Sequence, residues 1–500
     1  MTNHIEDTLA GHTASLAIDA EALRELGYRA VDLAADYLAG MRERPVFQPM
    51  TPEERQSLLE QALPEAGTPP SLILDQFAAS ILPHPMGNGH PRFFGWANSA
   101  PSPIGVIAEL LAGVMGPSCA GGDHAAIYLE RAVVRWLMEL IEFPVKGSMG
   151  MLVSGGSMAS LTGIAAARQR AASEDGWDLR QDGIQGWQSQ LTMYMSSEAH
   201  TTLRKAAELL GIGSGAVRVL PADEAFQMDV AALRAAIAAD RAAGMRPFCV
   251  VASTGTVSTG AIDPLEEIAD LCAVERLWLH IDGAIGAVAR LDPDKAARFG
   301  GLERADSVAL DPHKWLSVPV ECGCILVRDG ALLRDAFSLV PPYVRTEEGK
   351  GFGGLPWFAE YGFQQTRGFR ALKLWMTLLH AGRDGLTAMI ARHNALARYL
   401  AARIDDAPDF ERLAPVELAI VCFRFRPSGA ALEDEHLDAL NKAIMETVQA
   451  EGEAFLTQAS LRGRFALRAS ILHYGTTQDD VDALLDVVRG TGKRLLDAAG

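Results

Sequence analysis

Four short stretches of this 500-residue chain set reactive side chains at the ends of apolar runs. In "DPHKWLS", Asp311 to Ser317, a lysine stands between a histidine and a tryptophan, with "SVAL" before it and "CGCILV" after. A lysine kept from water loses part of its preference for the ammonium form and becomes an amine nucleophile for carbonyl groups. A lone lysine also reaches water by snorkelling, so Lys314 has to be read with its neighbours. In "LHIDGAIGA" Asp282 ends an apolar run and small residues follow. It is either a carboxylate where open α/β sheets bind ligands or the cap of a following helix. "MLVSGGSMASLTGIAAAR", Met151 to Arg168, reads as strand, Gly-rich turn and a helix from about Met158. Such a turn points backbone N–H groups and the Ser157 hydroxyl at an anion over the helix start, or is only a tight connection. His200, in "SSEAHTTLRKAA", falls between a strand ending near Ser196 and a helix starting near Thr201, as a ligand-facing or a structural ring.

Taken together, these are the parts needed to hold pyridoxal 5'-phosphate (PLP): an anion cup, an acid, a stacking ring and an amine. The cup takes the phosphate, Asp282 keeps the pyridine nitrogen protonated, His200 stacks on the ring, and Lys314 carries the aldehyde as a Schiff base. That arrangement explains why an ammonium group is placed in the turn between two apolar strands.

The chain also resembles the group II pyridoxal-phosphate decarboxylases of fold type I, which include aromatic-L-amino-acid, histidine and glutamate decarboxylases. The resemblance runs in order through "HPRFFGWANS", "SGGSMAS", "EAHTTLRKA", "STGTVSTGAIDPL", "LHIDGAIGA", "DPHKW", "PPYVR", "FRALKLW" and "LAIVCFRF". It implies Lys314 as the Schiff-base lysine, Asp282 as the pyridine-nitrogen partner and His200 as the stacking residue. Ser157 and Met158 match the phosphate cup with His313 beside it, Thr256 and Ala284 match positions lining the cofactor, and Asp311 joins the same set. Tyr343, in "PPYVR", matches a catalytic-loop tyrosine that reprotonates the substrate carbon. Trp96 lies in the matching substrate-contact region, either to stack on an aromatic substrate or as an ordinary core or dimer-interface residue.

The implied activity is decarboxylation of an L-amino acid, expected to be aromatic, to the amine and carbon dioxide. The alternatives are a decarboxylase of a glutamate, aspartate or histidine type and a decarboxylating aldehyde synthase. Relatives of the last kind tend to replace the stacking histidine or the loop tyrosine, and this chain keeps His200 and Tyr343. Arg92 and Arg345 are the basic residues that could meet a distal carboxylate. Three departures from the family pattern bear on the substrate rather than on the reaction. Met158 and Ala159 stand where small or hydroxylated residues are common, Ile285 stands where many members carry an aromatic, and "GPSCAGG" (116–122) lacks pocket aromatics. Two rivals come from other classes. A metal-dependent hydrolase using His280, Asp282 and His313 lacks a carboxylate-rich partner cluster, so no metal is expected. A cofactor-binding regulator without turnover has no need of Lys314 and Tyr343.

These side chains need elements to hold them, and the periodicity supplies candidates. Residues 17–64 show helical spacing, with Leu23, Leu26, Ala30, Leu33 and Tyr37 on one side, then a second helix opened by "TPEE". Between about 100 and 330, helical patterns alternate with "RVL", "FCVVAS" and "LWLHID", which predicts a mostly parallel sheet covered by helices. From about 372 a long helical stretch leads to the strands "AIVCFRF" and "FALRASIL" and a closing helix. The expected architecture is α/β of PLP-dependent transferase fold type I. It has a helical N-terminal arm (1–102), a large domain with a mostly parallel seven-stranded sheet (103–372) and a small α+β domain (373–500). The family implies an obligate homodimer whose N-terminal helices wrap the partner subunit. A formal charge of −18 argues against nucleic-acid and anionic-membrane partners. The six cysteines form no metal or disulfide framework and are expected reduced. The amino terminus lacks a signal-peptide layout, so the expected location is cytoplasmic.

Overall fold

The computed structural model describes residues 16–339, 350–354, 356–428 and 432–499. The expectations for Tyr343 and Arg345 lie outside the described residues.

The N-terminal arm holds α1 (Ala20–Ala39), α2 (Pro52–Leu59) and α3 (Pro70–Ser80), and α4 (Pro103–Met115) joins it to the large domain. The "TPEE" start of α2 is a reciprocal cap: Glu54 N–H donates to Thr51 Oγ1 at 3.2 Å, and Thr51 N–H donates to Glu54 Oε2 at 2.7 Å. Arg29 ties α1 to α3 through the Ser71 carbonyl, at 3.1 Å, and the Asp75 carboxylate. The apolar side expected on the first helix exists, but none of α1 is buried within this chain. Leu23, Tyr28 and Val31 remain exposed because no other described element covers them.

The large domain begins with α5 (Ala125–Leu140) and β1 (Met149–Val153), followed by α6 (Gly156–Glu174) and the one-turn α7 (Leu179–Asp182). Next come β2 (Leu191–Ser196), α8 (Thr202–Leu209), β3 (Val217–Leu220), α9 (Val230–Ala242), β4 (Arg246–Ser253), α10 (Leu265–Glu275) and β5 (Trp278–Asp282). Last are β6 (Ser307–Leu310), β7 (Gly323–Val327) and α11 (Gly330–Phe337). The seven strands lie in the order β1-β7-β6-β5-β4-β2-β3. Only β7 runs against its neighbours, so the C-terminal ends of β1, β2, β4, β5 and β6 share one edge. All of β2 and β6, and all of β4 but its first residue, are buried. That continuous burial is why these strands read as unbroken apolar runs rather than as alternating ones.

The helix expected from about Met158 starts two residues earlier, at Gly156. Its two glycines allow that early start. A Cβ on Gly156 would press on Asp311 and Ala284, and β7 passes so near that a Cβ on Gly323 would lie 2.4 Å from Gly155.

In the small domain α12 (Arg370–Asp405), broken at Gly382 (φ 65°), leads to β8 (Phe410–Arg412), β9 (Ile420–Phe425), α13 (Asp434–Glu451), β10 (Thr457–Leu461), β11 (Arg464–Ser470) and α14 (Gln478–Ala499). Its antiparallel sheet has the order β10-β11-β9-β8. β9 and β11 match the strands read from sequence. β8 and β10 went unread because one spans three residues and the other is a half-polar edge that alternates buried and exposed. All six cysteines are free and buried. Among the described residues no helix is long and apolar enough to cross a membrane, and no cluster could hold a metal ion.

Candidate active site

A cavity of about 240 Å³ opens at the edge where the parallel strands end. The turn after β1 brings Ser154, Gly155, Gly156 and Ser157; β5 brings Asp282, with Ala284 and Ile285 behind it; the turn after β6 brings Asp311, His313 and Lys314. His200 and Thr202 come from the β2–α8 junction, and Gly255 and Val257 from the loop after β4. Strand C-termini therefore supply the whole lining, as expected for an open α/β sheet.

Lys314 Nζ lies 2.9 Å from Asp311 Oδ2. The turn carrying them is tight: Lys314 N–H donates to the Asp311 carbonyl at 2.8 Å, and Ser99 Oγ donates to the Lys314 carbonyl. His313 Nδ1 lies 2.8 Å from the Cys322 carbonyl and 3.2 Å from the Cys322 N–H nitrogen, which pins the turn to the chain entering β7. Behind it, Trp315 Nε1 donates to His393 of α12 at 2.9 Å. Burial pushes the Asp282 carboxyl up, against the pull of the Lys314 ammonium, the Ala284 N–H and the His200 ring. Burial pushes His200 down; Asp282 opposes this and Lys314 adds to it. His200 Nδ1 accepts from the Thr202 N–H at 3.2 Å and lies 2.7 Å from Thr202 Oγ1. A nitrogen that accepts an N–H carries no proton itself, so the neutral ring is protonated on Nε2.

Three expected residues stand off the cavity. Met158 follows Ser157 into α6, where its side chain packs against the core. The Thr256 hydroxyl is spent inside its own turn, accepting from Ala261 N–H at 3.0 Å and pairing with Thr259 at 3.0 Å, while Gly255 and Val257 form the wall. Trp96 lies outside the cavity lining. It is 49% exposed and rests on Phe93 and Phe455, with ring centroids 6.1 and 5.4 Å away. His280, raised as a metal ligand, is wholly buried between Ser307 (2.8 Å) and Ser160 (3.1 Å).

Sequence reasoning passed over Thr202 and Arg468. Thr202 had a signal in the second threonine of "EAHTT". Arg468 had none. It sits buried on β11, donating to the Trp96 carbonyl at 2.7 Å and to the Ser258 carbonyl at 3.1 Å, and no carboxylate pairs with it among the described residues.

The residues present fit PLP. The glycine turn and the first N–H groups of α6 form an anion cup, a buried carboxyl lies at the end of β5, and a lysine faces both. The buried Asp311 Oδ1 has no hydrogen-bond partner among the described residues. A family model for the pyridoxal-dependent decarboxylase conserved domain matches residues 52–426. The chain belongs to that family. It is 32% identical over 469 residues to an aromatic-L-amino-acid decarboxylase of Bacillus atrophaeus, spanning 93% of this chain and 95% of the relative. A phenylacetaldehyde synthase of Arabidopsis thaliana is 30% identical over 464 residues, 91% of this chain and 92% of that one. Oryza sativa TDC, solved with PLP and tryptamine, superposes with TM-score 0.88 at 27% identity, over 96% of this chain and 99% of that one. The protein is thus a PLP-dependent amino acid decarboxylase whose mostly parallel seven-stranded sheet carries the site.

Proposed function

We propose that this decarboxylase converts an aromatic L-amino acid to its amine and carbon dioxide, in the cytoplasm and as a homodimer. The substrate class is carried by the likeness to aromatic-L-amino-acid decarboxylases, and Trp96, outside the cavity lining, adds to it. A half-exposed indole on a platform of two phenylalanines is a flat apolar surface of the kind that aromatic rings stack on. Beside it, Arg468 offers a buried guanidinium that donates to two backbone carbonyls and has no carboxylate partner among the described residues, a group suited to a substrate carboxylate.

When bound, PLP supplies a ring that accepts the electron pair left as the carboxylate departs. Lys314 Nζ would hold the cofactor covalently and is the amine placed to exchange with that of the substrate. Asp282 keeps a proton on the ring nitrogen, for which its own carboxylate must be stabilised by the neighbouring cations. His200 would lie against the cofactor ring, its Nδ1 held by Thr202 and its Nε2–H left for the substrate. Ser157 and the α6 N-terminus orient the phosphate. Tyr343, by the family resemblance, would be the residue that donates a proton to the substrate carbon.

Dimerisation is supported by apolar surface that this chain leaves open. On α4, Val106, Ile107, Leu110, Leu111 and Val114 are all exposed, a contiguous row of a kind that marks interfaces.

The test is to load purified protein with PLP and offer single amino acids, measuring carbon dioxide and amine. Tryptophan, tyrosine or phenylalanine should be turned over fastest. Faster turnover of glutamate or aspartate would overturn the substrate class. An aldehyde synthase is the second reading, favoured by the relative of that name; aldehyde and peroxide in place of amine would select it.

A further inference from the structure

Asp311 is the least satisfied group of the site. Its side chain is only 3% exposed, Oδ2 touches Lys314 Nζ at 2.9 Å, and Oδ1 is without a partner among the described residues. The carboxylate leans over the anion cup: a Cβ on Gly156 would lie 2.9 Å from Oδ2, and one on Gly155 3.9 Å from Oδ1. A phosphate received by that turn meets a buried carboxylate, and like charges in a desolvated site repel strongly. Lys314 is meanwhile the cation that balances Asp311 and also the amine that must be uncharged to react with an aldehyde.

We propose that Asp311 is the proton store of the site: as PLP binds, Lys314 Nζ passes a proton to Asp311 Oδ2, and the neutral carboxyl then faces the phosphate as a hydrogen-bond donor. The transfer turns an ammonium and a carboxylate into an amine and a carboxylic acid, with no change in net charge. The amine nitrogen then attacks the aldehyde carbon, a C=N bond replaces C=O, and the oxygen leaves as water. Without the transfer, Asp282 and Asp311 would both stay charged beside the phosphate after Lys314 had ceased to be an ammonium. Asp282 finds a new partner in the ring nitrogen, whereas Asp311 has none. The other groups that face Asp311 do not replace the lost cation. His313 on its own turn, 3.9 Å from Oδ1, has that same Nδ1 engaged by the Cys322 backbone at 2.8 and 3.2 Å. The His200 ring is pushed toward its neutral form by burial. The Cys322 and Cys324 thiols are held protonated by burial.

This inference rests on the cofactor placement proposed above, and the experiment separates the two. Infrared difference spectra are recorded between PLP-loaded and PLP-free protein, with loading verified by borohydride fixation. The wild type should gain the C=O stretch of a protonated carboxyl, shifted in deuterium oxide, and Asp311→Asn should lack it. Loading without that band in the wild type overturns the proton store and leaves the placement standing, and this arm needs no variant. A band that persists in Asp311→Asn belongs to another carboxyl, Asp282 first, and also overturns it. Protein that fixes no PLP sinks both. Since the asparagine amide also donates, Asp311→Asn should bind PLP within about tenfold of the wild type, the scale of one neutral hydrogen bond. A loss above about a hundredfold would mean that the charge itself is required, against the proposal.

Discussion

Two histidines of the large domain show how this fold separates function from support. His280 and His200 both follow apolar strand runs, and both read as candidates. His280 is wholly buried, with each ring nitrogen matched to a serine hydroxyl, and burial pushes its ring down to about 3. His200 stands at the cavity with Nδ1 engaged by Thr202 and Nε2 without a hydrogen-bond partner among the described residues. The same contrast holds between two cation–carboxylate pairs. Arg367 is buried against Glu130 of α5, and its Nη1 also donates to the Cys119 carbonyl at 2.8 Å. Glu130 Oε1 in turn accepts from Leu152 N–H at 2.9 Å. Lys314 and Asp311 form one contact, and half of the carboxylate is left over. The Arg367–Glu130 pair is tied into the sheet with only Arg367 Nε left over among the described residues, whereas the pair at the strand ends makes one contact and leaves a carboxylate oxygen unpartnered at the cavity.

The sharpest way to break this contrast is to remove one cation from each pair. Lys314→Ala should lower activity on the order of 10⁴-fold, the scale for losing a group that touches the reacting atoms, and abolish borohydride-fixed cofactor. Retention of fixable cofactor would place the Schiff base on another lysine. Arg367→Met should act on stability instead. Removing one partner of a buried pair strands a carboxylate at a cost of about 3–5 kcal/mol, read from denaturant midpoints. Activity per folded molecule should stay unchanged, and adding Glu130→Leu should restore part of the loss.

Much of the site was legible in the sequence because each element of it is local. Lys314, Asp282, His200, Ser157, Ala284, Asp311 and His313 all line one cavity, each from a motif that ends an apolar run. Met158 and Thr256 lie off the cavity lining for reasons just as local. Successive residues at the start of a helix point about 100° apart, so the neighbour of a cup residue turns into the core. The hydroxyl of Thr256 closes its own turn. What no local pattern could supply was long-range pairing. The insertion of β7 between β1 and β6 decides which strand ends meet, and Arg468 approaches Trp96 only because the small-domain sheet packs back on the N-terminal segment. The apolar face of α1 was read correctly, but its exposure in the single chain follows from what lies beside it rather than from its own periodicity.

The histidine contrast also predicts a pH dependence. His280 is held at about 3 in the fold, while an unperturbed imidazole titrates near 6.5. A folded value below the unfolded one means that the buried neutral ring contributes stability above pH ~6.5. That contribution is lost as pH falls toward about 3. His280→Gln keeps groups able to bond both serines and cannot take up the proton. Between these limits the variant's stability should fall less steeply with acid, by about 1.4 kcal/mol per pH unit, the value of one proton. Denaturant midpoints at a series of pH values measure this. Parallel curves for the two proteins would mean that His280 is protonated in the fold.

The smallest expected effect tests what holds His200. Its Nδ1 accepts from the Thr202 N–H at 3.2 Å, and at 2.7 Å the Thr202 hydroxyl is left to donate to the same nitrogen. Both bonds favour the neutral ring with its proton on Nε2. Thr202→Val removes the hydroxyl and keeps the backbone N–H, the side-chain shape and the β-branch at the start of α8. Losing one such bond costs about 0.5–1.5 kcal/mol, so kcat should fall by roughly three- to tenfold. PLP affinity should hold, because Lys314, Asp282 and the cup are untouched. The neutral ring would also be less favoured, so the acid limb of the rate profile should move to higher pH, by about half a unit to one unit for a bond of that strength. Thr202→Ser, which restores the hydroxyl, should return both the rate and the limb. A lower rate with an unmoved limb, unrescued by serine, would reduce Thr202 to packing at the helix start and leave its backbone N–H as the group that sets the His200 tautomer.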